Sequence, residues 1–196
     1  TRFVVTGAPR LDSVEPTEEK RSAAREKLLR LRLIALQRLN VLFLSQGHSA
    51  VFSGEEHRRI FALVASLAGQ EGIRLLVRQH PQESEAVSRE RLMDAIVLPR
   101  EISLADAVLA CDVVVSVNST AMLEASLLKV PVLQIALPGF EDRLGWLRFP
   151  RQISGGASAC EALQALRDAA QRDQCVREQH VLVQACVHAP GRGTEN

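Results

Sequence analysis

Apolar residues along this chain fall into short unbroken runs, separated by longer stretches in which they recur every three or four positions. The runs are residues 2 to 6, Asn40 to Ser45, Ile73 to Arg78, Ala95 to Leu98, Asp112 to Val117 and Pro131 to Ala136. Runs without polar alternation, rich in Val, Ile and Leu, are the pattern of strands buried on both faces. The longer stretches predict helices. Glu15-Pro16-Thr17 introduces one from about 18 to 38, with Thr17 as N-cap and Glu18 and Glu19 in its first turn. Others run from about Gly54 to Ala68, from Leu104 to Ala110 behind the cap Ser103, and, after the turn Ser116 to Thr120, on to Lys129. Two more cover about Cys160 to Ala170 and 172 to 186, after a looser region, 140 to 157, that holds Trp146 and Gly155-Gly156. Strands alternating with helices predict one doubly wound, Rossmann-like α/β domain, with a parallel sheet of about six strands and helices on both faces.

Length and charge narrow the classes. At 196 residues the chain suits one domain with a sizeable core. Lys+Arg 24 against Asp+Glu 23 leaves a net charge of +1, so no broad basic face for nucleic acid is expected, and any phosphate recognition is local. The cations that do cluster lie on the helix 18 to 38, at Lys20, Arg21, Arg25, Lys27, Arg30, Arg32 and Arg38. Such a helix either faces solvent or makes peripheral contact with an anionic membrane. Cys111, Cys160, Cys175 and Cys186 form no CxxC pair and read as reduced thiols of a cytoplasmic protein. No run approaches the ~20 apolar residues of a membrane span. The chain opens in mid-strand at Thr1 and closes on Gly193-Thr194-Glu195-Asn196, which leads the expectation that it is a fragment.

In a doubly wound sheet ligands bind beyond the carboxyl ends of the strands. Four loops with chemistry follow strands here: Ser45-Gln46-Gly47-His48, Arg78-Gln79-His80-Pro81, Ser116-Val117-Asn118-Ser119-Thr120 and Pro138-Gly139-Phe140-Glu141. Parallel topology puts all four on one edge. Pro81 keeps His80 extended, so its ring projects from the strand end, able to donate to a phosphate oxygen or merely to cap the strand. Strand alternation can turn Arg78 away from this edge. Ser119 and Thr120 are candidate phosphate ligands, with Asn118 either joining them or capping the helix. Glu124 lies one turn into that helix among apolar neighbours, where two ribose hydroxyls or a salt bridge would satisfy it. His48 and Glu141 can orient a sugar or an acceptor. His57, His180 and His188 show no ligand spacing, so no metal site is expected. GxGxxG, GxxxxGK[ST] and GxSxG are all missing, which removes support from dinucleotide oxidoreductases, P-loop ATPases and α/β-hydrolases.

Several of these segments, in this order, resemble a known family. Val5-Thr6-Gly7-Ala8-Pro9-Arg10-Leu11-Asp12, Arg78-Gln79-His80-Pro81, Leu98-Pro99, Asn118 to Ala125 and Lys129-Val130-Pro131-Val132 look like the C-terminal, nucleotide-sugar-binding half of GT-B-fold glycosyltransferases and of the related UDP-N-acetylglucosamine 2-epimerase. The His-Pro and Ser-Thr pairs are similar to those of bacterial capsule and sialic-acid or Kdo-type transferases. The resemblance implies a CMP- or UDP-sugar as substrate, no other cofactor, and a role in surface polysaccharide or glycolipid synthesis. It implies donor contacts from Gln46, Arg78, Ser116, Asn118, Ser119, Thr120 and Glu124, with His80 catalytic and the base resting against Leu98 to Ile102. It also implies an N-terminal acceptor domain outside this chain, so that this part alone binds donor weakly and turns nothing over. The epimerase turn, Asp-Ser-Gly-Gly followed by paired glutamates, is replaced here by Val117-Asn118-Ser119-Thr120 with Glu124 alone, which favours a transferase. An epimerase and a non-catalytic α/β module docked through the basic helix are the alternatives.

Overall fold

The computed structural model describes residues 16–46, 52–81, 83, 92, 94–140 and 148–186. In chain order the elements are α1 (Glu18–Arg30), β1 (Leu39–Leu44), α2 (Gly54–Ala68), β2 (Ile73–Arg78), β3 (Ile96–Val97), α3 (Leu104–Ala110), β4 (Val113–Ser116), α4 (Ala121–Leu127), β5 (Val132–Ile135), β6 (Gln152–Ile153), α5 (Gly156–Ala165) and α6 (Ala169–Cys186). The sheet has six strands in the order β3-β2-β1-β4-β5-β6. Every pairing is parallel, with Leu39 opposite Ile73, Val41 opposite Val113, Val114 opposite Val132 and Gln134 opposite Gln152.

Period-two alternation divides the core in two. Val41 and Phe43 of β1 point to the face that also buries Ile60, Leu67, Leu75, Ile135 and Leu163, under α2 and α5. Leu42 and Leu44 point to the opposite face, with Ala24, Leu28, Val108, Met122 and Leu128 of α1, α3 and α4. Each fully buried leucine stabilises by about 2 kcal/mol. Burial on both faces is why the strands read as unbroken apolar runs.

The structure departs from the expected boundaries in three places. The basic helix ends at Arg30, not near 38, because Arg32 takes a left-handed conformation with φ 58°. Its N–H donates to Leu29 O and that of Leu33 to Leu28 O, the two hydrogen bonds of a Schellman cap. The freed carbonyls of Arg32 and Leu33 accept from the Arg74 guanidinium at 2.6 and 2.8 Å. Second, the region 140 to 157 hides a strand, β6, which pairs with β5. Third, α5 starts at Gly156, where Ser158 Oγ accepts the Ser154 and Gly155 N–H groups, and it stops at Ala165. There Asp168 caps the next helix, accepting from Gln171 N at 3.0 Å. The expected strand 2 to 6 and Trp146 lie outside the described residues.

Part of the charge on α1 is paired with neighbouring elements. Arg25 pairs with Asp112 at 3.1 Å, Lys27 with Asp106 at 2.6 Å, and Arg21 donates to Leu128 O. These contacts tie α1 to α3, β4 and α4. Among the described residues no helix is long and apolar enough to cross a membrane, and Cys111, Cys160 and Cys175 are free thiols. Burial, with Asp112 beside it, pushes the Cys111 thiol far up from its ordinary value.

Candidate functional site

β1 and β4 are neighbours in the sheet, but the chain leaves β1 towards β2 and leaves β4 towards β5. Their outgoing connections therefore diverge, which opens a crevice at the carboxyl edge. The four predicted loops do meet along this edge, of which Gly47, His48 and Glu141 lie outside the described residues.

On the β2 side the chain forms a tight turn. Glu83 N–H donates to His80 O at 2.9 Å, closing a four-residue turn with Pro81 in its second position. The carboxylate of Glu83 is buried; one oxygen accepts Ser45 Oγ–H at 2.7 Å and the other accepts the His80 N–H at 3.0 Å. Arg100 donates to Glu83 O at 3.2 Å. Next to this turn lies a recess of about 160 Å³ lined by Arg78, Gln79, Pro81, Leu98 and Arg100. Arg78 thus faces the edge and is not lost to the cover of the sheet. Its guanidinium donates to Ile102 O, and burial draws its pKa below the ordinary value, although a guanidinium stays charged.

Ile102 is placed differently from the expectation. Its side chain is 3% exposed and packed in the core, and its carbonyl is taken by Arg78, so it shapes the recess from behind. Gln46, half-buried at the end of β1, has an amide oxygen that is buried without a hydrogen-bond partner.

On the β4 side, Ser116 also departs from the expectation. It is 0% exposed and donates to Leu44 O at 2.9 Å, so its hydroxyl ties β4 to β1 inside the sheet. Ser119 Oγ accepts the Ala121 N–H at 3.2 Å and so performs the capping; Thr120, at the N-cap position before α4, makes no side-chain cap bond. Asn118 and Ser119 are half-buried and Thr120 is exposed. Glu124 lies in the first turn of α4, half-buried, between the buried Leu123 and Ala125. Behind this turn stands Gln134, wholly buried in β5: it donates to Val117 O at 2.9 Å and accepts from Phe149 N at 2.8 Å. α4 ends as α1 does, with Lys129 at φ 55° and the Val130 N–H on Ala125 O. The β5 loop is held by Arg59, which donates to Pro138 O at 2.7 Å and lies 5.3 Å from the centroid of the buried Phe140 ring.

Glu83, Gln134 and Arg100 escaped the sequence reading. Glu83 carries a signal in retrospect, since a glutamate three residues after a turn-opening residue reaches back to that residue's N–H, as in a capping box. Gln134 carries another, an amide inside an otherwise apolar strand. A larger recess of about 340 Å³ opens at the opposite, amino edge, lined by Arg21, Asp112, Lys129, Arg172 and others. There Arg21 donates to Leu128 O and Arg172 to Leu166 O and Arg167 O, so these cations cap the ends of α4 and α5. Among the described residues no cluster of three His, Cys, Asp or Glu could hold a metal ion.

No protein-family model matches the chain, and no curated protein matches it in sequence. Solved structures do match its fold. The wall teichoic acid polymerase TagF, as its H548A form, gives a TM-score of 0.66 at 14% identity, over 99% of this chain and 50% of its own. WaaG, a glycosyltransferase involved in lipopolysaccharide biosynthesis, gives 0.60 at 18% identity over 98% of this chain and 54% of its own. Anabaena HepE, in complex with UDP and glucose, gives 0.60 at 13% identity over 93% and 52%. The domain is an open Rossmann-like α/β unit that matches one half of GT-B glycosyltransferases. Its chain spans about half the length of these similar structures.

Proposed function

We propose that this domain is the donor-binding half of a glycosyltransferase that uses a CMP- or UDP-linked sugar. The observation that carries the reading is the arrangement at the carboxyl edge. A recess flanked by Arg78 and Arg100 stands on one side of the switch point, and the hydroxyl-bearing turn Asn118 to Thr120 stands on the other. β1 lies between β2 and β4, so the two halves sit about 10 Å apart at ordinary strand spacing, the length scale of a nucleotide.

The base enters the recess against Leu98 and Pro81. The ribose hydroxyls meet Glu124, and the phosphate meets the hydroxyls of Ser119 and Thr120 with the N–H groups that open α4. α4 has only seven residues, so direct hydrogen bonds do more here than its dipole. When the bond from sugar to phosphate breaks, negative charge grows on the leaving phosphate. His80 donates to it, and Arg78 adds positive charge nearby. The acceptor and the catalytic base come from outside the domain. Two of the similar structures belong to a wall teichoic acid polymerase and a lipopolysaccharide glycosyltransferase, which supports a role in surface polysaccharide or glycolipid synthesis.

Calorimetric titration of the intact protein with UDP and CMP tests the reading. Saturable binding of one of them, weakened about tenfold by Thr120→Val as expected for one lost phosphate hydrogen bond, is the expected result. No heat from either nucleotide at millimolar concentration would sink the idea, and release of an epimerised nucleotide sugar without acceptor would mark an epimerase instead.

A further inference from the structure

Among the described residues Glu83 is the only buried carboxylate, and neither the chemistry above nor the sequence motifs use it. Burying an ionised carboxyl is costly unless both its oxygens find donors. Here the donors come from different loops: Ser45 Oγ–H leaves β1, and the His80 N–H leaves β2. The backbone carbonyl of the same residue takes Arg100 from the loop after β3. Three outgoing loops of the sheet therefore converge on one residue, next to the recess that the β2 and β3 ends line.

We propose that Glu83 is a positioning residue, a carboxylate clamp that fixes His80 at the donor site by gripping its backbone amide and anchoring that grip to Ser45. The inference rests on the donor-site reading given above. The geometry is reciprocal: Glu83 N–H closes the turn onto His80 O while its side chain returns to His80 N–H, and Pro81 holds the backbone dihedral between them. His80 is thus held through its main chain, which sets the root of its ring. Reactive groups need such placement, since a displacement of about 1 Å costs about 10²-fold in rate.

The test uses the intact protein and three variants, Glu83→Ala, Glu83→Gln and Ser45→Ala. Turnover is read as nucleotide release from UDP-N-acetylglucosamine or CMP-N-acetylneuraminate, affinity as calorimetric binding of UDP or CMP, and the clamp as hydrogen exchange of the His80 amide. Glu83→Ala should lower kcat by about 10²-fold with nucleotide affinity nearly unchanged, and should expose the His80 amide to exchange. Glu83→Gln should restore most of the rate and the protection, because its amide oxygen still accepts the His80 N–H and its NH₂ can donate to Ser45 Oγ. Ser45→Ala should give a smaller fall in kcat without a change in KM, and it decides the question if Glu83→Ala does not fold. Wild-type kcat in Glu83→Ala, or in Ser45→Ala when that variant alone folds, would overturn the proposal. So would equal losses of kcat and affinity that Glu83→Gln does not rescue. A wild-type protein that binds neither nucleotide overturns the donor reading instead; the clamp is then judged by the His80 amide, and fast exchange in wild type overturns it too.

Discussion

His80 owes its position to its backbone, closed into a turn with Glu83, so its chemistry can be separated from its placement. His80→Ala should lower kcat by about 10²-fold or more, the range of a lost general acid, with a much smaller effect on nucleotide affinity. Steady-state kinetics beside calorimetry checks this, and a rate loss matched by an equal affinity loss would make His80 a binding group only. Gln134 offers a contrasting case, since it supports the Val117 to Thr120 turn without facing the edge. Gln134→Leu leaves Val117 O and Phe149 N buried without that partner, and should cost roughly 2–3 kcal/mol in urea unfolding. Some of this was readable in the chain: His80-Pro81 and Asn118 to Thr120 announce polar groups at strand ends. What was not readable is which polar groups face inward. Ser116 and Ile102 stand one or two positions from real edge residues, and only the register of β4 and the closure of the β3 loop show that Ser116 serves the sheet and Ile102 the core.

The elements carry two further predictions. Arg32 and Lys129 occupy the left-handed position that ends α1 and α4, a conformation that costs a non-glycine residue about 1 kcal/mol. Arg32→Gly and Lys129→Gly should each raise stability, by at most about 1 kcal/mol after the added freedom of the unfolded chain is offset, measured as an increase in Tm. A fall in Tm for both would show that their side chains matter more than their backbone. The second concerns β6 and α6, joined by Arg151 and Glu178 at 2.8 Å. The Arg151 hydrogen bond, with one from Gln174, holds the Glu178 carboxyl below its ordinary value. A depressed carboxylate stabilises the fold above its unfolded pKa and loses that contribution as pH falls through the folded one. Glu178→Gln should therefore cost about 0.5 kcal/mol near neutral pH, the modest value of a solvent-screened pair, and nothing once pH is well below roughly 4. Denaturant melts across that range check the sign. Element boundaries were legible where a run of apolar residues met a capping residue, as at Ser103 before α3 and in β2. They failed where an arginine takes a glycine's role at the end of α1, and where β6 is too short, at two residues, to carry a pattern.

For the whole molecule, fold class followed from unbroken apolar runs alternating with amphipathic stretches, because a parallel sheet buried on both faces leaves few other arrangements. The site was legible as an edge and not as a geometry, since the contacts that build it join residues far apart in the chain, such as Ser45 to Glu83 and Gln134 to Val117. The chain covers about half the length of the similar structures. The central claim is that this edge holds a sugar nucleotide across the β1–β4 switch point. A crystal structure of the intact protein with UDP or CMP bound tests it most directly. The account predicts the base in the recess beside Leu98 and Arg100, and the phosphate within hydrogen-bond distance of Ser119 or Thr120. A nucleotide seated at the amino edge, between Arg21, Lys129 and Arg172, would contradict it.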